Sequence, residues 1–129
     1  MTTPSHAVQM VMIQAVAMNL DDGSGNAAIV YYSGARPASE SVAADPLNRL
    51  VTLNLQKPSA KTLGENSIEL YPSETSVAVK SGIATWARLY NAAGQAVIDM
   101  DIGTEIMLDD PSIVLGSTVK LDSIFLEPE

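Results

Sequence analysis

The chain has 129 residues, 47% hydrophobic and 17% charged, with a formal net charge of −8 and no cysteine. That length suits one domain with a proper core, and the composition argues against disorder. Seven scattered basic residues (Arg36, Arg49, Lys57, Lys61, Lys80, Arg88 and Lys120) form no cationic stripe in the sequence, which excludes ordinary nucleic-acid binding and disfavours anionic membranes. The missing cysteines exclude disulfides, thiolate nucleophiles and cysteine-ligated zinc.

A single domain over residues 1–129 is expected, with no signal peptide and no membrane span. It begins with a helix over about 4–20. Thr3-Pro4-Ser5 is a start signal, a hydroxyl cap before proline, with Ser5 as an alternative cap. Eleven of the fourteen positions from Ala7 to Leu20 are apolar. Val8, Val11, Met12 and Ala15 make one stripe; Met10, Ile13, Ala17 and Leu20 make a second. A helix apolar on nearly all sides must be covered on nearly all sides. It packs either within one subunit or with one stripe on a neighbour, and Val8, Met12, Ile13 and Val16 are the candidate interface residues. Asp21 to Asn26 ends the helix, with Gly23 as the C′ residue. A calcium loop is the alternative there, although the EF-hand spacing is missing.

Strands fill residues 27–127. Ala27–Ser33 is β-branched and aromatic, and Arg49–Gln56 alternates Val51, Leu53 and Leu55 inward with polar residues outward. Short strands are expected at Ser67–Tyr71, Ser76–Lys80, Glu105–Leu108, Ser112–Leu115 and Thr118–Leu126. The last changes phase at Asp122-Ser123, which suggests a bulge. The clearest element is the hairpin in GIATWARLYNAAGQAVIDMDIG, residues 82–103. Pairing Tyr90 with Gln95 sets Leu89 opposite Ala96, Ala87 opposite Ile98, Thr85 opposite Met100 and Ile83 opposite Ile102. This places Ile83, Thr85, Ala87 and Leu89 on the core face and leaves Trp86, Arg88, Asp99 and Asp101 on the solvent face. Many short strands with regular turns predict a mainly β fold, an antiparallel β-sandwich of jelly-roll type with one N-terminal helix.

The chemical inventory is thin. His6 is the only histidine, sits at the helix start, and reads as a surface residue rather than a general base. Asp99 and Asp101 could flank a glycosidic bond or bind a hard cation, but a solvent face with Arg88 diagonal to Asp99 explains them. Trp86 could stack on a sugar or base; a packing role is the simpler reading. GSGN follows a helix instead of preceding one, so it cannot cradle phosphate as a phosphate loop does. The expectation is a protein with no catalytic residues, cofactor or metal.

The Gly82–Gly103 block resembles one shared by small virion proteins of tailed bacteriophages, roughly Gly-x-Ala-Thr-Trp-x-Arg, a glycine turn, then an Ala-Val-x-Asp strand. The apolar helix ending in LDDGSGN, the IVYYSGARPAS segment and the C-terminal SIVLGSTVKLDSIFLEP are also similar to that family, in the same order. Between them, LQKPSAKTLGENSIELYPSET is more polar than the family pattern. The resemblance implies a structural part of a phage particle. Most directly it implies a capsid decoration or cement protein, made in the bacterial cytoplasm and bound to the major capsid protein as a homo-oligomer, often a trimer. A tail or neck component is the alternative within the virion, and a glycan-binding β module the alternative outside it.

Overall fold

The computed structural model describes residues 5–38, 42–56, 60–63, 68–71, 73–102, 111–121 and 124–126. The protein is mainly β, with antiparallel sheets and one helix near the N-terminus. Helix α1 spans His6–Leu20, and its N-cap is Ser5, whose hydroxyl accepts from the Val8 N–H at 3.3 Å. Of the two cap candidates, the serine one residue before the helix makes the bond.

The central sheet has the order β2-β1-β7-β8, from Arg49–Asn54, Ala28–Tyr32, Trp86–Tyr90 and Ala96–Asp101. A three-stranded sheet has the order β11-β4-β3, from Ile124–Leu126, Ile68–Leu70 and Ala60–Leu63. Among the described residues there are also two short pairs: β5 (Ser76–Val77) with β10 (Thr118–Val119), and β6 (Gly82–Ile83) with β9 (Ser112–Ile113). The main core joins Ile29, Tyr31, Val51, Leu53, Ala87 and Leu89 of the central sheet to Ile68 and Leu70 of β4, with Leu20 and Leu121. These alternate positions share one side of each strand, so their burial follows from the pleat.

Several sequence expectations change here. The expected strand Thr118–Leu126 is two strands, one pairing with β5 and the other with β4. The expected bulge at Asp122-Ser123 lies outside the described residues. Strand β3 follows Lys57-Pro58-Ser59 and was not expected, because AKTL carries little β signal. The expected strand Glu105–Leu108 lies outside the described residues.

The hairpin keeps its faces but not its register. Leu89 pairs with Ile98 and Ala87 with Met100, two residues from the expected alignment, with an irregularity between Leu89 and Tyr90. The cause is Asn91. Its Oδ1 accepts from the N–H groups of Ala93 and Gln95 at 3.0 and 2.9 Å, and its N–H donates to the Gln95 carbonyl at 2.9 Å. These bonds close a loop over 91–95, one residue longer than expected, the irregularity at Leu89/Tyr90 adds the second residue, and a slip of two preserves side-chain parity. Ala87 and Leu89 are therefore buried, as the alternation requires. Ile83 is exposed because β6 leaves the central sheet to pair with β9; Thr85 still bonds the sheet through Tyr32 and Ile102, and is exposed with its hydroxyl donating to the Gly34 carbonyl at 2.6 Å.

Tyr31 reaches the core with its hydroxyl buried and without a hydrogen-bond partner among the described residues. Burial pushes its pKa above the ordinary phenol value. Tyr31→Phe removes the desolvated hydroxyl while keeping the ring. It is expected to leave stability unchanged or raise it by about 1 kcal/mol, read from the urea midpoint.

Candidate assembly surface

The groups that suggested chemistry are occupied structurally. Arg88 lies directly opposite Asp99, not diagonal to it, and donates Nε to Oδ1 at 2.7 Å and Nη2 to Oδ2 at 3.1 Å. Both side chains are buried, so the expected solvent face is covered at this point. The cover comes from the segment before β2: the Val42 carbonyl accepts from Arg88 Nη1 at 2.7 Å, and Ala44 packs on the Val30, Tyr32 and Trp86 cluster. The hydrogen bond to Asp99 raises the guanidinium pKa further, so Arg88 stays charged.

Trp86 is 2% exposed, stacks on Tyr32 at 4.5 Å between ring centroids, and lies 5.3 Å from the Arg88 guanidinium carbon. The Tyr32 hydroxyl bonds that of Tyr90 at 2.9 Å. Burial, then the Tyr90 bond, raises the Tyr32 pKa. These rings form a packed layer inside the protein. Asp101 meets Arg36 at 3.3 Å. The two carboxylates thus face separate cations rather than one ligand.

The Asp21–Asn26 corner is a backbone dock. The Ala92 N–H donates to the Leu20 carbonyl at 2.9 Å, the Gly25 N–H to the Ala92 carbonyl at 3.2 Å, and Asn91 Nδ2 to Asn19 Oδ1 at 3.1 Å. Gly23 has φ +136°, and a Cβ built there would lie 2.5 Å from the Ala93 nitrogen. Only glycine fits this approach. No group of three or more acidic or histidine side chains among the described residues could hold a metal ion.

The remaining candidate surface among the described residues is an apolar one. Anchored by Leu20 and by half-buried Val16, α1 turns its other face outward: Val8 (50% exposed), Val11 (62%), Met12 (54%) and Met18 (77%), with Ala15 between them. That face holds the first stripe read from the sequence, Val8, Val11, Met12 and Ala15, with Met18 added. Of the candidate interface residues, Val8 and Met12 lie on it, Val16 packs against the core, and the Ile13 side chain lies outside the described residues, as does that of His6, read above as a surface residue. No residue from Ala7 to Leu20 is charged.

A second apolar surface was not legible in the sequence. Val77 pairs with Thr118 and Ile83 with Ser112 in a common register, and between them Ala78 donates to the Ser117 carbonyl while Leu115 donates to Ser81 Oγ. Residues 76–83 and 112–119 thus form one interrupted antiparallel ribbon. Its outward side chains include Val77, Val79, Ile83, Val114 and Leu115, and Leu47 adjoins it through the bond from Lys80 Nζ to the Leu47 carbonyl. The signal is local alternation in SVAVK and SIVLG, which reads as core until the pairing partners are known.

No helix among the described residues is long and apolar enough to cross a membrane. Compared with known proteins, the chain matches no family model, and no curated protein or solved structure is significantly similar to it.

Proposed function

We propose that this protein is a non-catalytic structural component of a tailed-phage particle that works by occupying a site in a lattice, most directly as a capsid decoration protein bound to the major capsid protein. The observation that carries this reading is the outward face of α1, where Val8, Val11, Met12 and Met18 are each half or more exposed. A face of that kind calls for a partner that covers it. Resemblance in the hairpin block and in three other segments supports the phage assignment. The reading takes the central and three-stranded sheets, which share one core, as the layers of a jelly-roll-like sandwich.

The glycan-binding alternative needs an exposed aromatic platform. Tyr31, Tyr32 and Trp86 are buried and Tyr71 and Tyr90 half-buried, so the described residues offer it little support. A tail or neck location would use the same apolar surfaces.

The test mixes purified protein with capsids of the encoding phage that lack it, and counts bound copies by mass. Stoichiometric binding that survives molar salt is expected, because apolar area rather than charge makes the contact, and multiplicity strengthens modest contacts. Met12→Glu should abolish it while the fold is retained. Val16 is unsuitable for this purpose, since a charge there would strike the core. Binding only to tails or necks moves the assignment within the virion, and binding to no particle part overturns it.

A further inference from the structure

We propose that Met12 and Met18 form a modification site on α1, where a hydroperoxide converts both thioethers to sulfoxides and switches the docking face off without unfolding the protein. This regulation rests on the assembly reading of α1 and deepens it.

The chain has six methionines and no cysteine, so thioethers are its only sulfur and no thiol competes for the oxidant. Three of the six have described side chains, and their surroundings differ sharply. Met18 is 77% exposed and Met12 54%, whereas Met100 is 4% exposed inside the main core. Oxidation follows access to the sulfur, so a hydroperoxide reaches the two helical side chains well before the core one. In the reaction a sulfur lone pair attacks the outer peroxide oxygen, the O–O bond breaks and an S–O bond forms. Sulfur loses two electrons and the peroxide gains them. The hydroxyl proton passes to the departing oxygen, which leaves as water or an alcohol.

Placement makes the change matter. At about 100° per residue, Met12 and Met18 lie on the two margins of an arc of about 120° that holds Val8, Ala15 and Val11 between them. A partner seated on the stripe reaches both margins. A sulfoxide puts a strong dipole, with an oxygen that accepts hydrogen bonds, where an apolar thioether stood. The helix cannot satisfy that oxygen, since no residue from Ala7 to Leu20 is charged and the amides beyond the first turn bond their own backbone. An apolar partner surface would bury it unpaired, at a loss of roughly tenfold to a hundredfold in affinity per sulfoxide. The neighbouring valines carry no oxidisable group, so the sensitivity of the stripe resides in its two methionines. The fold is spared, because neither side chain belongs to the core.

The test treats the full-length protein with hydrogen peroxide and maps the added oxygen by peptide mass. Met12 and Met18 should be oxidised before Met100, with the near-ultraviolet circular dichroism of the native fold unchanged. Retention on a hydrophobic-interaction column reads exposed apolar area without any particle, and it should fall. Binding to capsids that lack the protein, measured separately, should weaken by about tenfold or more. Methionine sulfoxide reductases of both stereospecificities should restore both readouts. The matched variant carries Met12→Leu and Met18→Leu, which keep the surface apolar and remove its sulfur. Peroxide should leave the retention and binding of that variant unchanged. A variant that responds like wild type places the effect at another methionine and overturns the proposal. So does oxidation of Met100 as early as Met18, loss of the native spectrum on oxidation of the two helical residues alone, or unchanged retention once both are oxidised. Capsid binding that survives oxidation of both residues overturns the proposal and leaves the assembly reading standing. Retention that responds in a protein that binds no particle part does the reverse.

Discussion

Replacing Asp99 with alanine is expected to destabilise the protein by about 3–5 kcal/mol, because it leaves the Arg88 charge buried without its carboxylate. Arg88 is 2% exposed and spends three nitrogens on Asp99 and the Val42 carbonyl. Water cannot easily replace the lost oxygens, and the covering segment around Val42 and Ala44 would have to open to admit it. Thermal denaturation should show a fall in Tm on the order of 10 °C or more. Replacing both partners, Arg88→Leu with Asp99→Leu, should be much milder than Asp99→Ala alone, since no charge then remains buried. If the single and double variants lose the same stability, the pair contributes through packing and the electrostatic account is wrong. The stacked Trp86 ring offers a second readout, because its fluorescence should shift when the segment opens.

Gly23→Ala is the second large effect. The position combines φ +136° with a hypothetical Cβ only 2.5–2.9 Å from backbone atoms of Ala92 and Ala93. Strain at such a φ is about 1–3 kcal/mol, and the clash is with backbone, which cannot rotate away. The expected result is a loss of about 3–5 kcal/mol, or release of the helix end from the turn. Gly94→Ala is the matched control. That glycine also has positive φ, +82°, but a Cβ there meets nothing within 4 Å. Its replacement should lose only about 1 kcal/mol. Hydrogen exchange at the Ala92 amide, which donates to the Leu20 carbonyl, separates the two cases. Fast exchange in the Gly23 variant alone is expected, and equal behaviour in both variants would refute the close-approach argument.

The parts of this fold that could be read in the sequence are those governed by near neighbours. The helix and the Leu53 and Leu89 faces follow from periodicity, the cap region from its hydroxyl-and-proline signal, and the packing role of Trp86 from the ordinary burial of aromatic rings, although the alternation put it on the solvent face. Register did not follow, because Asn91 bonds its own loop with a side chain that strand grammar treats as an ordinary turn residue. The solvent-face reading of Arg88 and Asp99 failed for a different reason. Burial there is imposed by a segment more than 40 residues away, at Val42, and its sequence announces no such contact. The exposed helix stripe was legible as apolar; that it faced outward was not. The ribbon was invisible, since its halves are separated by the whole β7–β8 hairpin and each is only two bonded residues long at either end.

Strand β11 has a further consequence for how the protein is made. Ile124–Leu126 pairs with Ile68–Leu70, and Thr118–Val119 with Ser76–Val77, so two of the sheets are completed by segments far along the chain. Contacts between such distant segments form late, after the entropy of closing long loops has been overcome. On the ribosome, β4 and β5 emerge well before the strands that will pair with them. Until Leu126 has left the exit tunnel, β4 can pair with β3 but presents its other edge unpaired, with the apolar side chains of Ile68 and Leu70. The hairpin, by contrast, joins neighbouring segments and can form as soon as it emerges. Synthesis therefore passes through a stage with a formed hairpin and an open, adhesive β4 edge, a state that favours aggregation among nascent chains at high expression.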